Sequence, residues 1–192
     1  MRDIKKAVGL IAPTLRRGGV GVIPTDTIYG LAGLALNKKT VARIYKLRRR
    51  DPKKPFIILI SSLKDLRSFG VHLTAKDKRA LARLWPNSVS IVLPCSNKKF
   101  AYLHRGTGTL AFRYPKIKWL KELLLTTGPL ISTSANFEGE PAAKTTTEAK
   151  IYFGEALDFY IDAGKQNGKP STVVSLRKGK LTVLRQGAVK LK

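Results

Sequence analysis

Helix-spaced apolar residues and short apolar runs alternate along this sequence, and the alternation restricts the chain to helices layered on a sheet. Ile4, Val8, Ile11 and Leu15 recur at helical spacing. Gly18 and Gly19 end that segment, and Val20, Gly21, Val22 and Ile23 read as a buried strand stopped by Pro24. Val41, Ile44 and Tyr45 mark a second helix, and residues 56–60, after Pro55, read as a buried strand. Thr74 with Asp77 has capping-box spacing and opens a helix to about Leu84. Residues 88–93 and 109–114 read as strands, residues 119–125 as a helix, and Leu130 with Ile131 as a brief strand. Thr145 with Glu148 repeats the capping signal, and residues 171–176 and 181–184 form a terminal hairpin around Gly179. Strands interleaved with helices predict an α/β fold with a twisted, open, mixed sheet. The expected organisation is a single domain over residues 1–192.

Composition removes several alternatives. At 43% hydrophobic the chain can bury a core, which argues against disorder. One cysteine, Cys95, forbids an internal disulfide, and Cys95, His72 and His104 cannot make a four-ligand zinc site. No apolar run approaches membrane length, and the short stretch after Lys5 and Lys6 runs into Pro13 without a cleavage signal. The expected location is therefore the cytoplasm, with no membrane partner. Lys and Arg exceed Asp and Glu by 25, and residues 38–54 hold nine bases against one acid, Asp51. That field suits phosphates, nucleotides or RNA, although no aromatic-interleaved RNA-recognition pattern accompanies it.

The common catalytic signatures are missing. Residues 139–145 lack the order of a phosphate-binding loop, and Gly106-Thr107-Gly108 stops short of a dinucleotide fingerprint. Cys95 reads as a core or strand-end thiol, and His72 and His104 have no triad partner in view. Three segments do carry chemistry: Pro24-Thr25-Asp26-Thr27-Ile28-Tyr29-Gly30-Leu31, Lys46-Leu47-Arg48, and Ser132-Thr133-Ser134-Ala135-Asn136. Each pairs polar residues at i and i+2, which point the same way on an extended backbone. Lys46 and Arg48 can share a ligand only if the helix has unwound by about Leu47, since helical positions two apart diverge by about 200°. Cations with hydroxyls and an amide suit an oxygen-rich anion held beyond the strand ends.

At these residues the chain resembles the YrdC/TsaC family of threonylcarbamoyl-AMP synthases. The likeness runs from about Ala7 to Gly187. Besides the three segments, it includes Trp85-Pro86, Ala111-Phe112-Arg113-Tyr114-Pro115, Pro170-Ser171-Thr172-Val173-Val174 and Leu184-Arg185-Gln186-Gly187, all in the family's order. The resemblance implies a YrdC-like fold with a basic concave face. It implies an enzyme, a nucleotidyltransferase that joins L-threonine, bicarbonate and ATP into threonylcarbamoyl-AMP with release of pyrophosphate. A partner transferase then modifies adenosine 37 of tRNA, the t6A modification. Lys46, Arg48, Ser134 and Asn136 fall on the family's catalytic set. Thr25, Thr27 and Tyr29 fall where threonine is held, and Lys46, Arg48, Arg113, Ser132, Ser134, Asn136, Ser171 and Arg185 on nucleotide-facing positions. Mg2+ is expected to arrive with ATP rather than on protein ligands.

The chain departs from the family pattern at residues 85–90, which read Trp-Pro-Asn-Ser-Val-Ser, at the Arg48-Arg49-Arg50-Asp51 run, and at Glu138-Gly139. It ends shortly after Gly187, so the extra C-terminal domain of some members is not expected. The alternative from the charge is an RNA-binding relative without synthase activity, with tRNA or double-stranded RNA as partner.

Overall fold

The computed structural model describes the backbone of residues 2–191 and the side chains of residues 7–191. The chain runs α1 (Arg2–Arg16), β1 (Gly21–Ile23), β2 (Gly30–Leu34), α2 (Lys38–Leu47), β3 (Ile57–Leu59), α3 (Ala75–Ala82), β4 (Val89–Pro94), α4 (Ala101–His104) and β5 (Thr109–Arg113). It continues through α5 (Lys118–Thr127), β6 (Leu130–Ser134), α6 (Thr146–Phe153), β7 (Phe159–Tyr160), β8 (Thr172–Arg177) and β9 (Lys180–Arg185). The strands form one mixed sheet in the order β7-β1-β2-β6-β3-β5-β4-β8-β9. This is the α/β mixed sheet expected from the alternation.

Strand periodicity divides the core into two layers. On β3, Ile58 packs with α2, α3 and α6 through Val41, Ile44, Leu81 and Phe153, while Leu59 faces α1 and α5. Ile11 and Leu15 of α1 and Leu120, Leu123 and Leu124 of α5 complete that second layer, each buried aliphatic contributing about 1.5–3 kcal/mol. The side chain of Ile4, the first residue of the predicted periodicity, lies outside the described residues. Both capping signals are used. Thr74 and Asp77 close a reciprocal box on α3, and the Thr145 hydroxyl accepts from the Glu148 N–H on α6.

Three strand boundaries differ from expectation. β2 was unread because its sequence, Gly-Leu-Ala-Gly-Leu, is nearly all buried and lacks alternation. Its small residues are required by their neighbours, since a Cβ on Gly33 would lie 2.5 Å from Thr40 Cγ2. β6 extends through Ser132, Thr133 and Ser134 because their backbones pair with Ala32, Leu31 and Gly30. β7 has two residues, too few for a periodic signal. The paired register puts Gly30, Ser132, Ile57, Ala111, Arg113 and Val173 on the face that α1 and α5 partly cover. The uncovered part of that face becomes the cleft described next. Among the described residues no helix is long and apolar enough to cross a membrane.

Candidate active site

A cleft of about 300 Å³ crosses the sheet from β2 to β9. Its lining includes Thr25, Thr27, Tyr29, Arg48, Arg113, Ser132, Ser134, Ser171 and Arg185, nine of the eleven residues singled out from the sequence. Because the sheet is mixed, strands enter the cleft from both directions, and the site is not confined to their carboxyl ends. Arg48, Arg50, Arg113 and Arg185 line it, and among the described residues no carboxylate does. Four cations among hydroxyls make a receptor for oxyanions.

Lys46 is not part of this group. The α2 helix continues through Leu47, and Arg48 caps it with φ −81° and ψ −6°, still right-handed. The unwinding that the Lys46/Arg48 pairing required is absent, so Lys46 points away and lines a separate hollow with Arg49 and Phe137. The helix ends one residue later than the pairing needs. Arg49, at φ 50°, is left-handed. Its N–H donates to Lys46 O and that of Arg50 to Tyr45 O, both at 3.1 Å, closing a Schellman turn. The reversal returns Arg50 to the cleft beside Arg48. The basic pair of the site is Arg48 and Arg50, and the i, i+2 rule applied to the Arg run at the helix stop would have found it.

Asn136, the other exception, lies behind the lining and holds Arg48. Arg48 is 3% exposed. Its Nε donates to Asn136 O at 2.9 Å, its Nη2 to Asn136 Oδ1 at 3.0 Å and Ser134 Oγ at 3.3 Å, and its Nη1 to Thr133 Oγ1. Four of its five N–H groups are thereby occupied. Asn136 Nδ2 in turn donates to Phe137 O and Glu140 O. Burial lowers the Arg48 pKa to about 10, which leaves it a cation at neutral pH.

The first loop is built by its own hydroxyls. Thr25 Oγ1 donates to Ile28 O at 2.7 Å, accepts from the Thr27 and Ile28 N–H groups, and lies 2.9 Å from Thr27 Oγ1. Arg113 Nη1 donates to Thr27 Oγ1 at 3.4 Å. The Tyr29 hydroxyl donates to Gly164 O at 2.8 Å and accepts from Ala163 N–H at 2.8 Å. Tyr29 therefore fastens residues 163–164 to the start of β2, and burial raises its pKa. Asp26, unassigned from the sequence, sits behind the lining and pairs its Oδ1 with Arg113 Nη2 at 3.2 Å. Burial lowers the Arg113 pKa and Asp26 opposes the shift, while Arg113 Nε has no hydrogen-bond partner among the described residues. On the far side, Arg185 Nη2 donates to Ser171 O at 2.8 Å, and Ser171 Oγ lies 2.8 Å from Ser90 Oγ.

Comparison with known proteins places this architecture. A family profile, Sua5/YciO/YrdC with the description "Telomere recombination", matches residues 13–187. The chain belongs to the Sua5/YciO/YrdC family. It is 34% identical over 175 residues to the threonylcarbamoyl-AMP synthase of Nitrosococcus oceani, covering 90% of this chain and 94% of that protein. It is 30% identical over 186 residues to the threonylcarbamoyl-AMP synthase of Pyrococcus abyssi, covering 96% of this chain but 55% of that protein. The structure of Pyrococcus abyssi Sua5 complexed with L-threonine superposes with a TM-score of 0.86 at 28% identity, over 95% of this chain and 54% of that one. The chain thus spans about half the length of the Pyrococcus protein and nearly all of the Nitrosococcus one.

Ser88 and Glu138, from two of the stretches set apart in the sequence, make contacts beside the cleft arginines. Ser88, in the altered 85–90 stretch, donates its hydroxyl to Asp26 Oδ2 at 2.8 Å and so supports the partner of Arg113. Glu138 accepts from Asp51 N–H at 2.6 Å and from Lys54 Nζ at 2.7 Å. The Lys54 contact leads the effects that hold its carboxyl down at about 2. Glu138 thus lies outside the lining and tied to a neighbouring turn. Cys95 is a buried thiol, 3.3 Å from Phe69 O and pushed up by burial, as a core cysteine should be. Among the described residues no group of three His, Cys, Asp or Glu side chains could hold a metal ion.

Proposed function

We propose that this chain is a threonylcarbamoyl-AMP synthase acting from the arginine-lined cleft. The observation that carries the reading is the convergence of four arginines with the Thr25, Thr27, Ser132, Ser134 and Ser171 residues on one carboxylate-free surface. Two relatives that cover nearly the whole chain and bear that name support it, as does the related fold complexed with L-threonine.

The chemistry suits such a surface. The threonine amine condenses with bicarbonate to an N-carboxylate, losing water. A carboxylate oxygen then attacks the α-phosphorus of ATP, and pyrophosphate leaves with the electron pair of the broken P–O bond. No protein nucleophile is needed. Arg48 and Arg50 on one wall, with Arg113 and Arg185 on the other, hold the anionic reactants together against their mutual repulsion. Hydroxyls orient the anions. Mg2+ enters as part of the ATP substrate.

The further partners of this reading are the t6A transferase machinery and tRNA in the cytoplasm, and the charge of +25 favours an RNA contact. The deciding experiment follows AMP and pyrophosphate formed from ATP with Mg2+ and bicarbonate. Turnover should require L-threonine and be largely lost with L-serine. Absence of threonine-dependent turnover, with RNA still bound in a steeply salt-dependent way, would replace the synthase by the RNA-binding alternative.

A further inference from the structure

The cleft reading leaves one observation unused: Glu138 places an acid beside an anion site, and its carboxylate bonds to Asp51 and Lys54 rather than to the cleft lining. Arg50, by contrast, lines the cleft and makes no ion pair among the described residues. Its Nε donates to Lys54 O at 3.1 Å and its Nη2 to Pro55 O at 3.4 Å, while its guanidinium lies 5.2 Å from the Phe56 ring centre. Its direction therefore depends on where the turn of residues 51–55 sits. Asp51, Pro52, Lys53 and Lys54 are all exposed, so no buried side chain anchors that turn.

Polar contacts anchor it instead. The Tyr45 hydroxyl donates to Lys54 O at 3.0 Å and Arg105 Nε to Pro52 O at 2.6 Å. From the β6 side, Glu138 takes both the Asp51 N–H and the Lys54 ammonium. The Glu138 N–H also donates to Arg48 O at 2.9 Å. Residues 136–138 therefore grip both cleft arginines of this wall: Asn136 through the Arg48 side chain, and Glu138 through the turn that aims Arg50.

We propose that Glu138 is a positioning residue that locks the Arg50 turn to the loop after β6, so that Arg50 meets the anionic substrate already oriented. The inference rests on the cleft being the anion site. Its physical content is preorganisation, because an exposed turn ordered before binding spares the ligand the entropy of ordering it. A second role for the same carboxylate would act in the opposite direction. As a bare charge near the cleft, Glu138 would repel phosphate, and removing it would tighten anion binding.

Calorimetric titration with ATP and, separately, with inorganic pyrophosphate distinguishes these. Glu138→Ala should weaken both by roughly fivefold, the scale of one ordinary hydrogen bond. Glu138→Gln keeps an acceptor for the Asp51 N–H and should stay within about twofold of the parent, because the half-exposed Lys54 pair is worth little. In an Arg50→Ala background, Glu138→Ala should cost nothing more. Tighter binding in both Glu138 variants, or equal losses with and without Arg50, overturns the proposal. If Arg50→Ala alone leaves both affinities unchanged, the cleft reading falls and takes this inference with it. Thermal unfolding of each variant separates a loosened turn from a misfolded chain.

Discussion

Replacing Arg48 by lysine keeps the charge and removes the fork. The guanidinium reaches Asn136 O, Asn136 Oδ1, Ser134 Oγ and Thr133 Oγ1 from three nitrogens. A lysine ammonium carries three N–H groups on a single point, and the spread of the four acceptors around the planar fork leaves about two beyond its reach. Two acceptors in a site 3% exposed would then lose their partner, each at about 1–3 kcal/mol. The Thr133 and Ser134 hydroxyls belong to half-buried residues of the cleft lining, so solvation offsets part of that loss. The net expectation is a destabilisation of about 2–3 kcal/mol, or a melting temperature lower by about 4–12 °C for a chain of this size. Thermal scans and urea unfolding at pH 7 would measure it. The opposite possibility is that Arg48 is a strained charge kept for ligand binding alone, in which case Arg48→Lys or Arg48→Met would stabilise the protein. A melting temperature unchanged or raised in Arg48→Lys would refute the claim that the 133–136 segment holds this arginine.

Three further outcomes follow from the same geometry. Arg50→Ala should reduce threonine-dependent pyrophosphate release by about tenfold or more, while Lys46→Ala stays within about twofold, and steady-state assays of the two decide which residue completes the basic pair. Gly30→Ala would put a Cβ 2.7 Å from Ser132 Oγ and 3.2 Å from Thr25 Cγ2, so ATP affinity should fall and stability drop by about 1–3 kcal/mol, read by calorimetry and urea unfolding. The Asp77 pKa lies below its ordinary 3.8, chiefly through the Thr74 hydroxyl, so its contribution is full above that pH and disappears as pH falls through the folded value. The stability gap between the parent and Asp77→Asn, measured by urea unfolding, should therefore shrink as the pH is taken below 3.8.

Much of the site was readable because the chemistry is carried by short segments. Thr25 and Thr27, Ser132 and Ser134, and Arg113 with Ser171 and Arg185 reach one cleft, as their residue types and the family resemblance implied. The Lys46 assignment failed on one backbone angle. A helix that runs to Leu47 and reverses at a left-handed Arg49 moves the basic pair from 46 and 48 to 48 and 50. Pattern reading locates a helix stop only to within a few residues, and here two residues decide which side chains meet the ligand. Asn136 and Tyr29 were assigned to the site, but their polar atoms are spent on Arg48 and on residues 162–164.

By itself the sequence determined the layered α/β class, the capped starts of α3 and α6, most of the buried strands and the strongly basic character of the chain. Those properties follow from local periodicity, side-chain reach of a few residues and charge. Only the tertiary structure decided that Asp26 faces Arg113, that Ser88 supports Asp26, and that Glu138 holds the turn of Arg50. Asp26 and Arg113 are 87 positions apart, and so are Asp51 and Glu138. Strand order and register bring them together, and neither is written in local spacing.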